Sequence, residues 1–416
     1  MLTCQHSHAA RGLLVRTLIA VLASVLLLTA CAGGFSAAAK GADGSPQSPV
    51  SGSICVAAGE ASLPAPPVGV SARGAVLMEA ETGEIAFGIN QNARLPMAST
   101  TKIMTALCAL EMLPPETIVT VSPDAVGVEG SSIYLVAGER LTMEELLYAL
   151  LLESANDAAA AIAIAVSGSV ESFAALMNRR AADMGLTDTH FVNPHGLDDP
   201  EHYTTAKELA LIAREALKNP FFREICGTRR KVIPLQGEKG VRLLLNHNRL
   251  LGSYEGCIGV KTGYTKKTGR CLVSAAERDG VTLIAVTLGA PNDWRDHTAM
   301  LDYGFGLYDS VTLCEPDFYH APLWLVAGQA EYVMVSNTEV LTVTLRNNHG
   351  PVRCIVELPR FAYAPVRAGE QVGRLRFFEE SPDGERRELG SVPLYAAYGV
   401  DAVTYKKGLW EWLFSR

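Results

Sequence analysis

A chain of 416 residues with 48% apolar and 19% charged side chains has material for two ordinary domains and a sizeable core, which excludes a disordered polymer. A formal charge of -8 and a pI near 5.7 leave no basic footprint, which argues against nucleic acid as a partner.

In chain order, Arg11 and Arg16 precede an apolar run over 17–28, the length of an export-signal core and short for a membrane span. The run ends in Leu28-Thr29-Ala30-Cys31, which resembles the lipobox of bacterial lipoproteins. Residues 1–31 are therefore read as an export signal with two outcomes open: acylation of Cys31, or ordinary cleavage near Ala30 or Ala32. Beyond Cys4 and Cys31 the cysteines are Cys55, Cys108, Cys226, Cys257, Cys271, Cys314 and Cys354, with no Cys-x-x-Cys pair. That spacing fits neither a zinc site nor a disulfide framework and reads as mostly buried thiols, with a single bridge left open.

Residues 32–70 are rich in Ala, Gly, Ser and Pro and read as a flexible tether. Strand-like 74–78, a turn at 81–84 and apolar 85–87 predict a β-hairpin. Ile103, Leu107 and Leu110 recur at helical spacing before Pro114-Pro115, which predicts a helix over 99–112. Helical texture fills 142–152, 155–166, 170–184 and 206–217, and β-prone runs return at 232–234, 257–262, 271–276 and 281–288 before a helical pattern over 295–308. Strands at both ends with helices between them predict an α+β domain over 71–309, an antiparallel sheet packed on a helical cluster. From 310 to 404 the alternating runs 332–335, 341–345 and 352–356 predict a small all-β domain. The last segment, 405–416, sets Lys406 and Lys407 before Leu409, Trp410, Trp412, Leu413 and Phe414. Such an amphipathic stretch either docks on the β domain or lies in a membrane interface.

Three short motifs carry the chemistry. Ser99-Thr100-Thr101-Lys102 places a hydroxyl and an amine three residues apart, on one helical face. A serine is a poor nucleophile until a base takes its proton, and a lysine serves only if burial and a nearby cation lower its pKa. A helix start also offers backbone N–H groups near Ser99 for an oxyanion. Ser154-Ala155-Asn156 follows at a junction between helical segments, and Lys261-Thr262-Gly263 at the end of a strand-like run. Ser-x-x-Lys, Ser-x-Asn and Lys-Thr-Gly in this order match the signature of penicillin-binding proteins and class A β-lactamases, with Ala155 in place of its Asp. Ser154 is the candidate proton relay, Asn156 the candidate amide holder, and Lys261 with Thr262 and Gly263 the candidate carboxylate receptor. A second Lys-Thr-Gly begins at Lys267, in a polar stretch that suits a hairpin turn, so Lys261 is assigned to the site and Lys267 to solvent.

With 96–105, Gly130-Ser131-Ser132, 193–198, 202–206 and 248–251 added, the chain resembles the low-molecular-weight penicillin-binding proteins that act as serine-type D-alanyl-D-alanine carboxypeptidases. The resemblance spans about 72–412. It implies a transpeptidase/β-lactamase-like domain followed by a β domain, a stem-peptide substrate ending in D-Ala-D-Ala, and β-lactams as covalent inhibitors. It also implies a C-terminal membrane contact, a second cation at Arg249 near the Lys-Thr-Gly strand, and an oxyanion hole of the Ser99 and Tyr264 backbone N–H groups. Tyr264 stands where the family often has His. No metal or organic cofactor is implied. The alternatives are a β-lactamase, for which Glu215 with Asn219 offers a superficially suitable spacing, and a non-catalytic receptor for cell-wall peptide or β-lactam. His195, His202 and Glu153 are read as structural.

Overall fold

The computed structural model describes residues 54–56, 64–67, 69–235, 240–381 and 384–404. The export signal with Cys31, most of the tether and the amphipathic segment 405–416 lie outside the described residues.

The first sheet has five antiparallel strands in the spatial order Ile85–Ile89, Gly74–Glu79, Val281–Leu288, Gly269–Arg278, Cys257–Thr265. The middle stretches of its central strands are buried on both faces, Gly74–Glu79 throughout and residues 283–288 and 271–276 in the next two. Side chains alternate across a strand, so Val76 and Met78 enter one core while Ala75 and Leu77 enter the other. The first core is shared with a helical cluster, and the second with helix Asp293–Phe305, whose Met300 and Leu301 are fully buried.

Helix Lys102–Met112 runs through the cluster with its first eight residues buried. Around it stand Met143–Leu151, Asn156–Ser167, Val170–Asp183 and Ala206–Leu217. Their starts are written locally: Thr142 and Glu145 form a capping box, and Ser169 and Thr205 each accept a backbone N–H of the turn they open. Helix Pro220–Gly227, capped by Asn219, and the two-stranded ribbon Arg230–Pro234 with Val241–Leu245 complete this part.

The chain then turns into β structure slightly earlier than expected. The last helix stops at Phe305 before Gly306, and strand Tyr308–Cys314 pairs with Leu341–Arg346. A seven-stranded sheet follows, in the order Ile54–Val56, Val352–Glu357, Gln371–Glu380, Arg386–Ala396, Tyr332–Ser336, His320–Val326, Phe361–Tyr363. Only its last pair is parallel. Ile54–Val56 falls in the stretch read as tether, and two β-branched residues there suffice to add a strand to the sheet edge. Thr344 N donates to Glu81 and Arg346 pairs with Glu84, which joins the β part to the first hairpin. Cys108, Cys226, Cys257, Cys271, Cys314 and Cys354 are free thiols.

Candidate active site

Ser99 does not open the α-helix. It sits in a 3-10 turn, Ala98–Thr101, that feeds into it, and Ala98 there is left-handed at φ 49°. A non-glycine residue in that region stores strain that the surroundings must impose. Two backbones do so. A Cβ on Gly196 would stand 2.0 Å from the Ala98 carbonyl oxygen, and one on Gly263 would stand 3.1 Å from the backbone nitrogens of both Ser99 and Thr100. The turn is thus held between the 193–198 loop and the Lys-Thr-Gly strand, and glycine permits the approach on both sides.

Lys102, one turn on, is fully buried. Its Nζ lies 3.0 Å from Ser99 Oγ, 2.7 Å from Asn156 Oδ1 and 2.6 Å from the His195 carbonyl oxygen. A neutral amine has two N–H donors and one lone pair. The two carbonyl-type oxygens accept the two donors, which leaves the lone pair for the Ser99 hydroxyl proton. Burial pushes the Lys102 amine well below its ordinary range, the Lys261 charge adds to this, and Asp157 opposes it. Lys261 is thus a second cation acting on Lys102, and Arg249 lines the cleft.

Asn156 starts its helix, donates from Nδ2 to the Glu129 carbonyl, and receives no side-chain cap. Ser154 is left-handed at φ 61°, a second strained residue, and is buried at the cleft floor. Lys261 is buried in the strand Cys257–Thr265, donates to the Thr262 carbonyl, and is pulled to about 7 by burial, with Glu153 opposing. Lys267 is exposed in the hairpin turn. Thr268 beside it bonds Asp198, which fastens that turn to the 193–198 loop.

The cleft encloses about 320 Å³ and brings together Ser99, Ser154, Thr262, Gly263, Tyr264 and Arg249. Ser131, His247, Arg270, Asp293 and Trp294 also line it, and sequence reasoning missed the last four. Arg270 donates from Nε to Asp293 at 2.9 Å and lies over the Trp294 ring, 5.6 Å from its centroid. Asp293 is 2% exposed, so it fixes the guanidinium without competing for solvent. Nothing local marks these three, because Arg270 comes from a strand start and the other two from a helix start. Asp157, also missed, is buried and accepts from Ser132 Oγ and from the backbone of Ile133 and Leu135. It anchors the loop that forms one wall; its only local signal is an acid in the first turn after Asn156.

The residues read as structural have structural contacts. His195 Nδ1 accepts from Leu197 N, while its carbonyl serves Lys102. His202 accepts from Val192 N at Nδ1 and so donates from Nε2 to Thr101. Burial lowers both imidazoles, to about 3 and about 4. Glu153 accepts from Leu245 N and pairs with His247 at 3.5 Å. Glu215 is tied to Arg180 and Lys218 on a helix surface, and Asn219 caps the next helix, so neither reaches the cleft.

Known proteins resemble this chain in sequence and in fold. The family model described as D-alanyl-D-alanine carboxypeptidase (Peptidase S11) matches residues 60–292. The D-alanyl-D-alanine carboxypeptidase DacF of Bacillus subtilis is 33% identical over 314 residues, covering 73% of this chain and 80% of the relative. The crystal structure of the carboxypeptidase DacD from Francisella tularensis superposes with a TM-score of 0.57 at 26% identity, over 88% of this chain and all of the other. The DD-transpeptidase of Streptomyces K15 gives 0.56 at 34% identity, over 58% of this chain and all of the other.

Proposed function

The chain belongs to the D-alanyl-D-alanine carboxypeptidase family of S11 peptidases, and from that premise we propose that Ser99 is the nucleophile through which it works. It is a penicillin-binding D-Ala-D-Ala carboxypeptidase, and its substrate is the peptidoglycan stem peptide. The observation that carries the nucleophile assignment is the Lys102 amine, buried, held by two oxygens and 3.0 Å from Ser99 Oγ.

In the sequence this geometry supports, neutral Lys102 takes the Ser99 proton and Oγ bonds to the carbonyl carbon of the penultimate D-alanine. The Ser99 and Tyr264 backbone N–H groups receive the oxyanion. The C–N bond breaks, and the proton passes from Lys102 through Ser154 to the leaving amine of the terminal D-alanine. Water then adds to the acyl-enzyme by the same route in reverse, restoring Ser99 and releasing the shortened peptide. Asn156 holds the substrate amide. Lys261 and Thr262, on the strand where Gly263 allows close approach, receive the terminal α-carboxylate, with Arg249 and the Asp293-anchored Arg270 as flanking cations.

The same reading divides the chain into a catalytic part over 71–309 and a β part over 310–404. It places the exported protein at the outer face of the cytoplasmic membrane, held by an acylated Cys31, by 405–416, or by both. Ser99→Ala is expected to abolish both D-alanine release and the penicillin adduct in intact-mass analysis. One adduct per chain in that variant would overturn the assignment. Metabolic palmitate labelling that survives Cys31→Ser would remove Cys31 as the lipid site.

A further inference from the structure

The seven-stranded sheet ends in an unusual surface. Along His320–Val326 the side chains alternate: Leu323 is buried against Val333 and Val335, while Trp324 and Val326 point the other way. Cross-strand register sets Trp324 opposite Tyr332 on one side and Phe361 on the other, and Val326 opposite Tyr363. These five side chains share one face, and each is between 41% and 69% exposed. Trp324 meets Tyr332 edge-on with ring centroids 5.8 Å apart, and Phe361 meets Tyr363 likewise at 5.7 Å. An exposed apolar patch this continuous marks an interaction surface.

What covers it is indicated by the sequence next to it. Val403 N donates to the Ala327 carbonyl at 2.8 Å and Ala402 bridges to Gly328, so residues 402–403 lie beside the Val326 edge of the patch. The sequence that follows supplies Lys406 and Lys407, then two tryptophans, two leucines and a phenylalanine. At the opposite edge of the same sheet, Ile54–Val56 brings in the segment that follows Cys31. The tether that follows Cys31 and the amphipathic segment 405–416 are thus each continuous in sequence with this one sheet. Trp and Tyr, with apolar bodies and polar tips, are the side chains of the membrane interface, and Phe361 and Val326 add apolar area between them. Exposed Arg360 and Arg367 flank Phe361 and Tyr363 in sequence; exposed Glu331 beside Tyr332 leaves the rim mixed, so apolar burial rather than charge carries the contact.

We propose that the face formed by Trp324, Val326, Tyr332, Phe361 and Tyr363 is a lipid-contact surface, seated in the interfacial layer with the β part against the membrane. The inference rests on the membrane reading above and adds a contact separate from Cys31 and from 405–416. The test uses residues 32–416 carrying Trp294→Phe, Trp410→Phe and Trp412→Phe, which leaves Trp324 as the only tryptophan. It is mixed with vesicles of equal parts phosphatidylglycerol and phosphatidylethanolamine bearing brominated acyl chains. Cosedimentation together with quenching of Trp324 emission supports the proposal. Trp324→Ser with Phe361→Ser and Tyr363→Ser in the otherwise wild-type 32–416 chain is expected to bind about tenfold more weakly, with unchanged thermal unfolding and unchanged D-alanine release from a soluble peptide. Cosedimentation without Trp324 quenching overturns the proposal and leaves the membrane reading standing. Absence of cosedimentation overturns the proposal and the 405–416 contact together, and leaves the Cys31 anchor to the labelling test above. Trp324 already shielded from aqueous iodide without vesicles assigns the face to 405–416 or a second copy, and likewise overturns it.

Discussion

The cleft and the β sheet use the same cations to opposite ends. In the cleft, Lys102 and Lys261 are buried without a carboxylate at ion-pair distance among the described residues, and both amines are displaced downward. On the β sheet, Arg374 and Arg376 meet Glu357 across the strand pair, Arg376 also meets Glu388, and Arg387 meets Glu379, all at the surface. Pairing raises the Arg376 guanidinium further above its already high range. Burial without a counter-ion brings an amine's proton within reach of ordinary pH, whereas pairing in water makes a fixed charge that does little chemistry.

The sharpest way to break this contrast is Lys102→Met, which keeps the volume and removes the lone pair. Acylation by penicillin and peptide is expected to fall by about a hundred- to ten-thousandfold, measured by stopped-flow, and a loss below tenfold would remove Lys102 as the base. Next comes Lys261→Ala, expected to cost about a hundredfold in kcat/KM for an α-carboxylate peptide, while Lys267→Ala, in the exposed turn, leaves it unchanged. The reverse ranking in folded variants would exchange the two Lys-Thr-Gly assignments.

The pH profile tests the displaced amines directly. Lys102 must be neutral to take the proton, so kcat/KM falls on the acid side as its lowered pKa is crossed. Lys261 must be charged to hold the carboxylate, and its folded value is about 7, so kcat/KM falls again as the pH rises past about 7. Lys261→Arg, which stays charged, is expected to flatten the alkaline limb only. Arg270→Ala is a smaller change: KM for the free-acid peptide is expected to rise about tenfold with kcat little altered, and the amidated peptide is expected to show no such rise. Smallest of all is Arg376→Gln on the β sheet, for which turnover stays constant and the melting temperature moves by about 2 °C or less. A large loss of turnover there would mean that the two regions are coupled.

The motif triplet could be read without coordinates because each member is a local pattern with a local consequence. Ser-x-x-Lys sets one turn of spacing, Ser-Ala-Asn falls at a helix junction, and Lys-Thr-Gly lies on a strand, which runs on to Thr265 rather than ending with the motif. The first hairpin, the helical periods and the alternating runs were legible for the same reason, since period depends on neighbours a few residues away. The sequence also separated Lys261 from Lys267, because an apolar strand precedes one and a polar turn surrounds the other. Tertiary structure alone decided what lowers the Lys102 amine: its enclosure by packed helices and sheet first, and then the charge of Lys261, 159 positions along the chain. It also decided that His195 contributes its carbonyl rather than its ring, and that Arg270, Asp293 and Trp294 form a cleft wall. Burial and cross-sheet juxtaposition arise only when distant segments share one space, and a linear pattern carries no record of that.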